Sequence, residues 1–239
     1  MPEGIYAAAA GMAAQQTQMD AIANDIANVN TAGYHSERIG FQDLVYTAEQ
    51  NVPIGSGSKT IDLGRTEEEG SIQQNGDPLS LAITGPGYFQ VRRSDGSVAL
   101  TRNGQFGLDA SGAVVTASGE RLVPPITVPK GTDPSDIKIG ANGAVSVNGK
   151  SIGQITVVDV PNEGGLQPVG DSLFVATAAS GAAGPLRSST IEQGALETSN
   201  VDMGTAMVDM IQAQRGYELA SNAIKTQDEL LNVANQLVK

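Results

Sequence analysis

Apolar residues recur every seventh position at both ends of this chain, and in its long middle they alternate with polar ones. Near the N-terminus, Ile5, Met12, Met19 and Ile26 share one heptad position, and Ala8, Gln15, Ile22 and Val29 share the other. Only Gln15 interrupts this a/d seam, the pattern of a coiled coil. Near the C-terminus, Met203, Met210, Tyr217, Ile224, Leu231 and Val238 recur in one register, with Ala206, Ala213, Ala220 and Ala234 in the second and Gln227 as the exception. The seams predict two long helices that pair with each other or with neighbouring copies. The first should run from about Gly4 to Asn30 and stop at Thr31-Ala32-Gly33, whose glycine suits the left-handed end of a helix. At 1.5 Å per residue it would be about 40 Å long. The second should be capped by Ser199, with Asp202 opposing the helix dipole in the first turn, and continue to about Val238. Gly204 and Gly216 would weaken it by about 1 kcal/mol each relative to alanine.

Between the helices, short alternating runs are separated by turn dipeptides. Phe89-Gln90-Val91, Val98-Ala99-Leu100-Thr101, Phe106-Gly107-Leu108 and Val114-Val115 are divided by Ser94-Asp95-Gly96, Asn103-Gly104 and Asp109-Ala110-Ser111-Gly112. Ile137-Lys138-Ile139, Val145-Ser146-Val147 and Ile155-Thr156-Val157-Val158 follow, divided by Asn142-Gly143 and Asn148-Gly149. Asp-Gly and Asn-Gly favour hairpin turns, so successive β-hairpins are predicted. The fold class that results is α+β. Residues 1–46 and 195–239 form a discontinuous helical coiled-coil domain, 47–69 a linker or edge-forming extension, and 70–194 an inserted antiparallel β domain.

Composition narrows the function. A chain of 239 residues with 40% hydrophobic content can bury a core, but aromatics supply 4%, Trp is absent and Gly numbers 29, so the core must be small aliphatics around tight turns. Lys and Arg total 14 against 26 Asp and Glu, a formal charge of −12, with no basic stripe of the kind that binds nucleic acid. Cys is absent, which removes disulfides, thiolate metal sites and cysteine nucleophiles. Met1-Pro2-Glu3-Gly4 lacks the positive opening of a secretory signal, so no cleaved signal is expected. No run approaches the roughly 20 apolar residues that span a bilayer, and no membrane insertion is expected.

Candidate chemistry is sparse. His35, the only histidine, has no neighbouring nucleophile or second histidine and is read as a solvated or interfacial loop residue. Asp95 and Asp109 lack the spacing of a calcium loop and are turn formers, so no metal and no cofactor are expected. Glu67-Glu68-Glu69 could be imagined as the acid pair of a wall-active glycosidase, but adjacent side chains diverge and a solvated face is the better reading. Gly85-Pro86-Gly87 lacks the lysine of a phosphate loop and reads as a tight bend. Asn24, Asn28 and Asn30 fall off the heptad seam, which suggests that other faces of the first helix also meet neighbouring subunits. The assembly residues expected are Ile5, Met12, Met19, Ile22, Asn24, Ile26, Asn28 and Val29, with Met203, Met210, Tyr217, Ile224 and Leu231.

The run Met19-Asp20-Ala21-Ile22-Ala23-Asn24-Asp25-Ile26-Ala27-Asn28-Val29-Asn30-Thr31-Ala32-Gly33-Tyr34 closely resembles the N-terminal signature of the flagellar rod and hook protein family. Ile83-Thr84-Gly85-Pro86-Gly87-Tyr88-Phe89-Gln90-Val91 is similar to the family's central motif, and Leu196-Glu197-Thr198-Ser199-Asn200-Val201-Asp202 to the opening of its C-terminal helix. Asp43-Leu44-Val45-Tyr46 and the run from Met210 to Glu218 are most like rod members of the distal kind. The segment between Tyr46 and Gly70 is shorter than is usual there, which leaves a proximal rod paralogue open. The resemblance implies a non-enzymatic subunit exported through the flagellar type III apparatus without a cleaved signal, polymerising helically into a torque-transmitting shaft around an export channel in the basal body. Its partners would be copies of itself, other rod proteins, the hook protein, the export apparatus and ring or bushing proteins. Terminal helices disordered in the free subunit would order on assembly, pairing within the chain and touching neighbours laterally. A secreted wall-active enzyme or an adhesin are the competing readings from other classes.

Overall fold

The computed structural model describes residues 2–44, 47–49, 52–186 and 188–237, without the side chains of 2, 3, 47–49, 52–54, 234, 235 and 237. Val45, Tyr46 and Val238 therefore lie outside the described residues, as does the side chain of Ala234. The chain divides into two compact units. One comprises 1–27, 37–63 and 202–239; the other comprises 28–36 and 64–201.

In the first unit, α1 (Pro2–Ala27) and α2 (Met203–Leu237) pack on each other. Gly4 faces the Gln227 side chain and Gly216 faces Gln15, so the helices run antiparallel. The two glutamines that interrupt the heptad seams thus lie opposite glycines, where a Cβ on Gly216 would come within 2.9 Å of Gln15. Each long polar side chain occupies the space that the glycine leaves. On α2 the inward side is the alanine register, with Ala213 buried and Ala206, Met210, Ala220 and Ile224 half-buried. On α1, Met12, Gln15, Met19, Ile22 and Ile26 are half-buried, whereas Ala14, Ala21 and Asp25 are buried on a second stripe.

That second stripe faces a β ribbon. Strand Glu37–Asp43 pairs with Ser58–Arg65, and Thr47–Glu49 pairs with Val52–Ile54 beyond it. The Asp25 side chain accepts the Glu37 N–H at 3.1 Å, and Gly57 approaches the Ala7 backbone closely enough that a Cβ there would sit at 3.0 Å. Residues 7 and 25 are five helical turns apart and so lie on one face. The small side chains between them let the ribbon come close. Residues 47–69, expected as a linker or edge-forming extension, are therefore largely strand.

Helix starts and stops differ from expectation at two points. The helix α1 ends at Ala27 rather than Asn30, because Asn28 turns to take the Thr31 N–H on its carbonyl and the Thr31 hydroxyl on its side chain, both at 3.0 Å. The cap of α2 is Asp202, not Ser199. Its carboxylate accepts the Thr205 N–H at 2.6 Å and its carbonyl the Ala206 N–H at 2.9 Å, while Ser199 accepts from Val201 in an extended lead-in.

The second unit is antiparallel β throughout. Nine described strands form its largest sheet, in the order Gln167–Gly170, Leu173–Val175, Val98–Thr101, Tyr88–Arg92, Arg121–Val123, Val114–Thr116 and Phe106–Leu108, with Val157–Asp159 pairing Tyr88–Arg92 and Gly184–Pro185. Alternation along Tyr88–Arg92 sends Phe89 and Val91 into one buried cluster with Leu81, Leu122 and Ile126, and Tyr88 into a smaller one with Leu100 and Phe174. Phe89 and Phe106 meet edge to face at 5.3 Å. The turns at Asp95-Gly96, Asp109–Gly112, Asn142-Gly143 and Asn148-Gly149 connect paired strands as expected. Asn103-Gly104 does not. Val98–Thr101 and Phe106–Leu108 lie apart in the sheet, and Gly104 instead accepts the Leu81 N–H at 3.0 Å, so close that a Cβ would overlap the Leu81 carbonyl oxygen at 1.6 Å. A glycine needed for close approach has the same sequence signature as one needed for a turn.

The Gln15–Gly216 contact sets a direct test. Gly216→Phe should overpack it and lower stability by about 1–3 kcal/mol. Adding Gln15→Ala should recover part of that loss, as read by thermal unfolding followed by circular dichroism. Strictly additive effects of the two changes would mean that the residues do not touch.

Candidate functional site

Two features stand out: the distribution of exposed apolar side chains, and a buried polar hub. Every large hydrophobic side chain found exposed among the described residues belongs to the first unit, except Val98. On the ribbon these are Phe41 and Leu63; on α1, Tyr6; on α2, Met203, Met207, Val208, Ile211, Tyr217, Leu219, Leu230, Leu231 and Val233. At 100° per residue, Ile211, Val208 and Val233 lie opposite the side that carries Ala206, Ala213 and Ala220, and Leu219 and Leu230 lie on its flank. Leu219 is 71% exposed and Ile211 50%. They are set among exposed polar residues such as Arg215, Glu218 and Asn222, so this side of the helix is mixed in character.

Of the expected assembly residues, Met203, Tyr217 and Leu231 are exposed, and Met210 and Ile224 are half-buried. Ile5, Met12, Met19, Ile22, Ile26 and Val29 are half-buried as well, Asn24 is exposed, and Asn28 is taken up by the turn that ends α1. The heptad register pointed to the helices but did not find Met207, Val208, Ile211 and Leu219. A second apolar stripe beside the first was readable in the sequence, since Met207 and Ile211 are four residues apart.

The hub lies in the second unit and centres on Glu197, only 2% exposed at the end of strand Ala195–Glu197. Its Oε2 accepts from Arg102 Nε at 2.6 Å, and its Oε1 takes the His35 ring at 2.9 Å and the Gly70 N–H at 3.1 Å. Arg102, itself buried, also donates to the Gly87 carbonyl at 2.5 Å and lies 3.4 Å from Glu69, an ion pair without hydrogen-bond geometry. The backbone repeats the connection: Gly33 N–H donates to the Glu197 carbonyl, and Asn200 N–H to the Tyr34 carbonyl. Gly33 has φ +64°, and a Cβ there would fall 2.5 Å from the Arg102 carbonyl carbon, so both conformation and space call for glycine.

Of the two alternatives expected for His35, a solvated or an interfacial loop residue, the first does not hold. His35 is 9% exposed, because the turn at Gly33 directs the chain inward. Around it, the Arg65 guanidinium sits 5.0 Å from the ring centres of both Tyr34 and Phe174 and donates to the His35 carbonyl at 2.5 Å. Burial pushes the Tyr88 phenol far up, helped by Glu163, and burial likewise raises the Glu163 carboxyl. Burial also raises Glu197, but the hydrogen bond from His35 and the charge of Arg102 outweigh it and hold that carboxyl below its ordinary value. Of Glu67-Glu68-Glu69, the last takes part through Arg102 and the other two are exposed.

Comparison with known proteins gives the family. The flagellar basal body rod protein family matches residues 5–35, the D1 domain family of flagellar hook protein FlgE/F/G matches 82–147, and the flagellar basal body rod FlgEFG C-terminal family matches 192–237. The flagellar basal-body rod protein FlgG of Agrobacterium fabrum is 38% identical over 260 residues, covering 97% of this chain and 98% of its own. That of Caulobacter vibrioides is 38% identical over 98% and 99%. The chain belongs to the flagellar basal-body rod protein family. Within it the likeness is to FlgG, since the rod protein FlgF of Mesorhizobium japonicum is 28% identical over 91% of the chain. The alignment to the Agrobacterium protein spans 260 positions against 239 residues here, so that relative carries residues with no counterpart in this chain. The hub draws on all three matched segments: His35 closes the first, Arg102 lies in the second and Glu197 in the last.

Glu197 predicts a pH dependence. Its folded-state pKa lies below its unfolded one, so its contribution is complete above the ordinary carboxylate range and is lost as pH falls through and below 4.5. Denaturant unfolding between pH 6 and pH 3 should show stability falling over that interval. Glu197→Gln should cost about 3–5 kcal/mol at pH 6 by stranding Arg102, and should flatten the slope. An unchanged slope in the variant would assign the acid sensitivity elsewhere.

Proposed function

We propose that this chain is a structural subunit of the distal flagellar rod, polymerising helically with copies of itself into the shaft that transmits torque and surrounds the export channel. The observation that carries the reading is the concentration of exposed apolar side chains on the first unit, above all on the far side of α2. Heterologous contacts repeated around an axis build such a tube, and a helix with exposed apolar side chains on more than one side, set among polar ones, is suited to meet more than one neighbour. The reading takes α1 and α2 as a coiled-coil pair within one chain, with Met203, Tyr217 and Leu231 of the heptad register, Ile211 of the opposite face and Leu219 of its flank turned to adjacent copies.

Other rod proteins, the hook protein, the type III export apparatus and ring or bushing proteins are the further partners. Export without a cleaved signal and a place in the basal body belong to the same proposal. The likeness to FlgG over nearly the whole chain supports the distal position over the proximal one. Under this reading the polypeptide catalyses nothing.

Ile211→Asp with Leu219→Asp tests it. Both side chains are exposed in the single chain, so the double variant should keep its helix content and its unfolding temperature within a few degrees. Expressed in a strain deleted for its own copy, it should leave a truncated rod without hook or filament by electron cryotomography, where the unaltered gene restores both. Hooks and filaments at the wild-type number would remove α2's far face from assembly.

A further inference from the structure

His35 is the sole histidine of the chain, and its buried ring faces two acceptors. Nδ1 lies 2.9 Å from the Thr66 carbonyl oxygen, and Nε2 lies 2.9 Å from Glu197 Oε1. A carbonyl only accepts, and so does a carboxylate. A neutral imidazole carries one N–H and can satisfy one of them; satisfying both takes a proton on each nitrogen, or a proton on Glu197. Glu197 is poorly placed to keep that proton. Its Oε2 already takes the Arg102 N–H at 2.6 Å and its Oε1 the Gly70 N–H, and protonation would oppose Arg102.

We propose that His35 is a proton-gated lock: with both ring nitrogens protonated it cross-links the Thr66 carbonyl to the Glu197 carboxylate and pins the segment from Gly33 to Ser36, and loss of one ring proton to solvent as pH rises releases that pin. Deprotonation leaves a ring lone pair against an oxygen at one of the two contacts. One charge-assisted bond disappears, and the imidazolium no longer offsets Glu197.

The charged and titratable groups around the ring are Glu197 on its own strand, Arg102 and Glu69 beyond it, Arg65 on the His35 carbonyl, and Glu163, which has Tyr88, Asp159 and Glu67 near it. Arginines stay charged throughout. Glu163, raised by burial, is the neighbour able to add a second titration, and it can be silenced separately.

The test is NMR on the intact chain, where the single histidine makes ring assignment unambiguous. At pH 5.5 both ring nitrogens should carry protons and give the nitrogen shifts of a cation. Amide protection at Tyr34 and Ser36, corrected for the intrinsic pH dependence of exchange, should fall about tenfold by pH 8. His35→Lys, which stays cationic, and His35→Gln, which stays neutral, should each remove the pH dependence, whereas Glu163→Gln should keep it. A ring with one N–H across the whole range in the folded protein would overturn the proposal without any variant. The same pH profile in His35→Gln would overturn it too.

Discussion

A carboxylate with almost no contact with water governs the second unit. Glu197 can stay ionised only if opposite charge and N–H donors reach it, and the chain brings them from three separate places: His35, Gly70 and Arg102. Each of these residues closes a different stretch of backbone onto strand Ala195–Glu197. Removing one partner strands the others, so the cluster behaves as a unit rather than a sum of bonds. A hydrophobic residue at the same place would bury more easily. It would not specify which loop docks where, and the charge pattern does.

This arrangement fixes where two polypeptide segments lie. The stretch from Asn28 to Ser36 leaves α1, and the stretch from Glu197 to Val201 leads into α2. Within the second unit they are bonded to each other through Gly33 to Glu197, Asn200 to Tyr34 and Ser36 to Asn200. Two of the runs that carry the family resemblance meet here, one ending at Tyr34 and one beginning at Leu196. The hub gives a physical reason for both: the runs carry the two sides of a single buried network.

Much of the architecture was legible because it rests on local periodicity. Heptads place α1 and α2, and Asp-Gly and Asn-Gly place most hairpins. Three expectations differ from the structure, each for its own physical reason. Asn103-Gly104 looked like a turn because sequence does not distinguish a glycine needed for positive φ from one needed so that Leu81 can approach. His35 looked solvated because its partner is Glu197, 162 positions away. Ser199 looked like a cap because Asp202 offers the same chemistry three residues later. The one hint available for the hub was Ala195-Leu196-Glu197. Alternation there buries either the leucine or the alanine and glutamate, and the structure buries the latter pair, since Arg102 is present to neutralise it.

The two units answer opposite demands. The second hides its apolar side chains in two compact clusters and leaves Val98 as its exposed exception. The first keeps small residues inward, so that a glutamine can sit over a glycine, and turns Met207, Ile211 and Leu219 outward. A single chain gains less from that distribution than from inward leucines, because inward alanines bury little area and outward leucines remain in water. The arrangement becomes favourable when other surfaces cover the outward stripe. The helices are then stabilised most by contacts that the isolated chain does not make, and their order should depend on subunit concentration in a way that the order of the β unit does not.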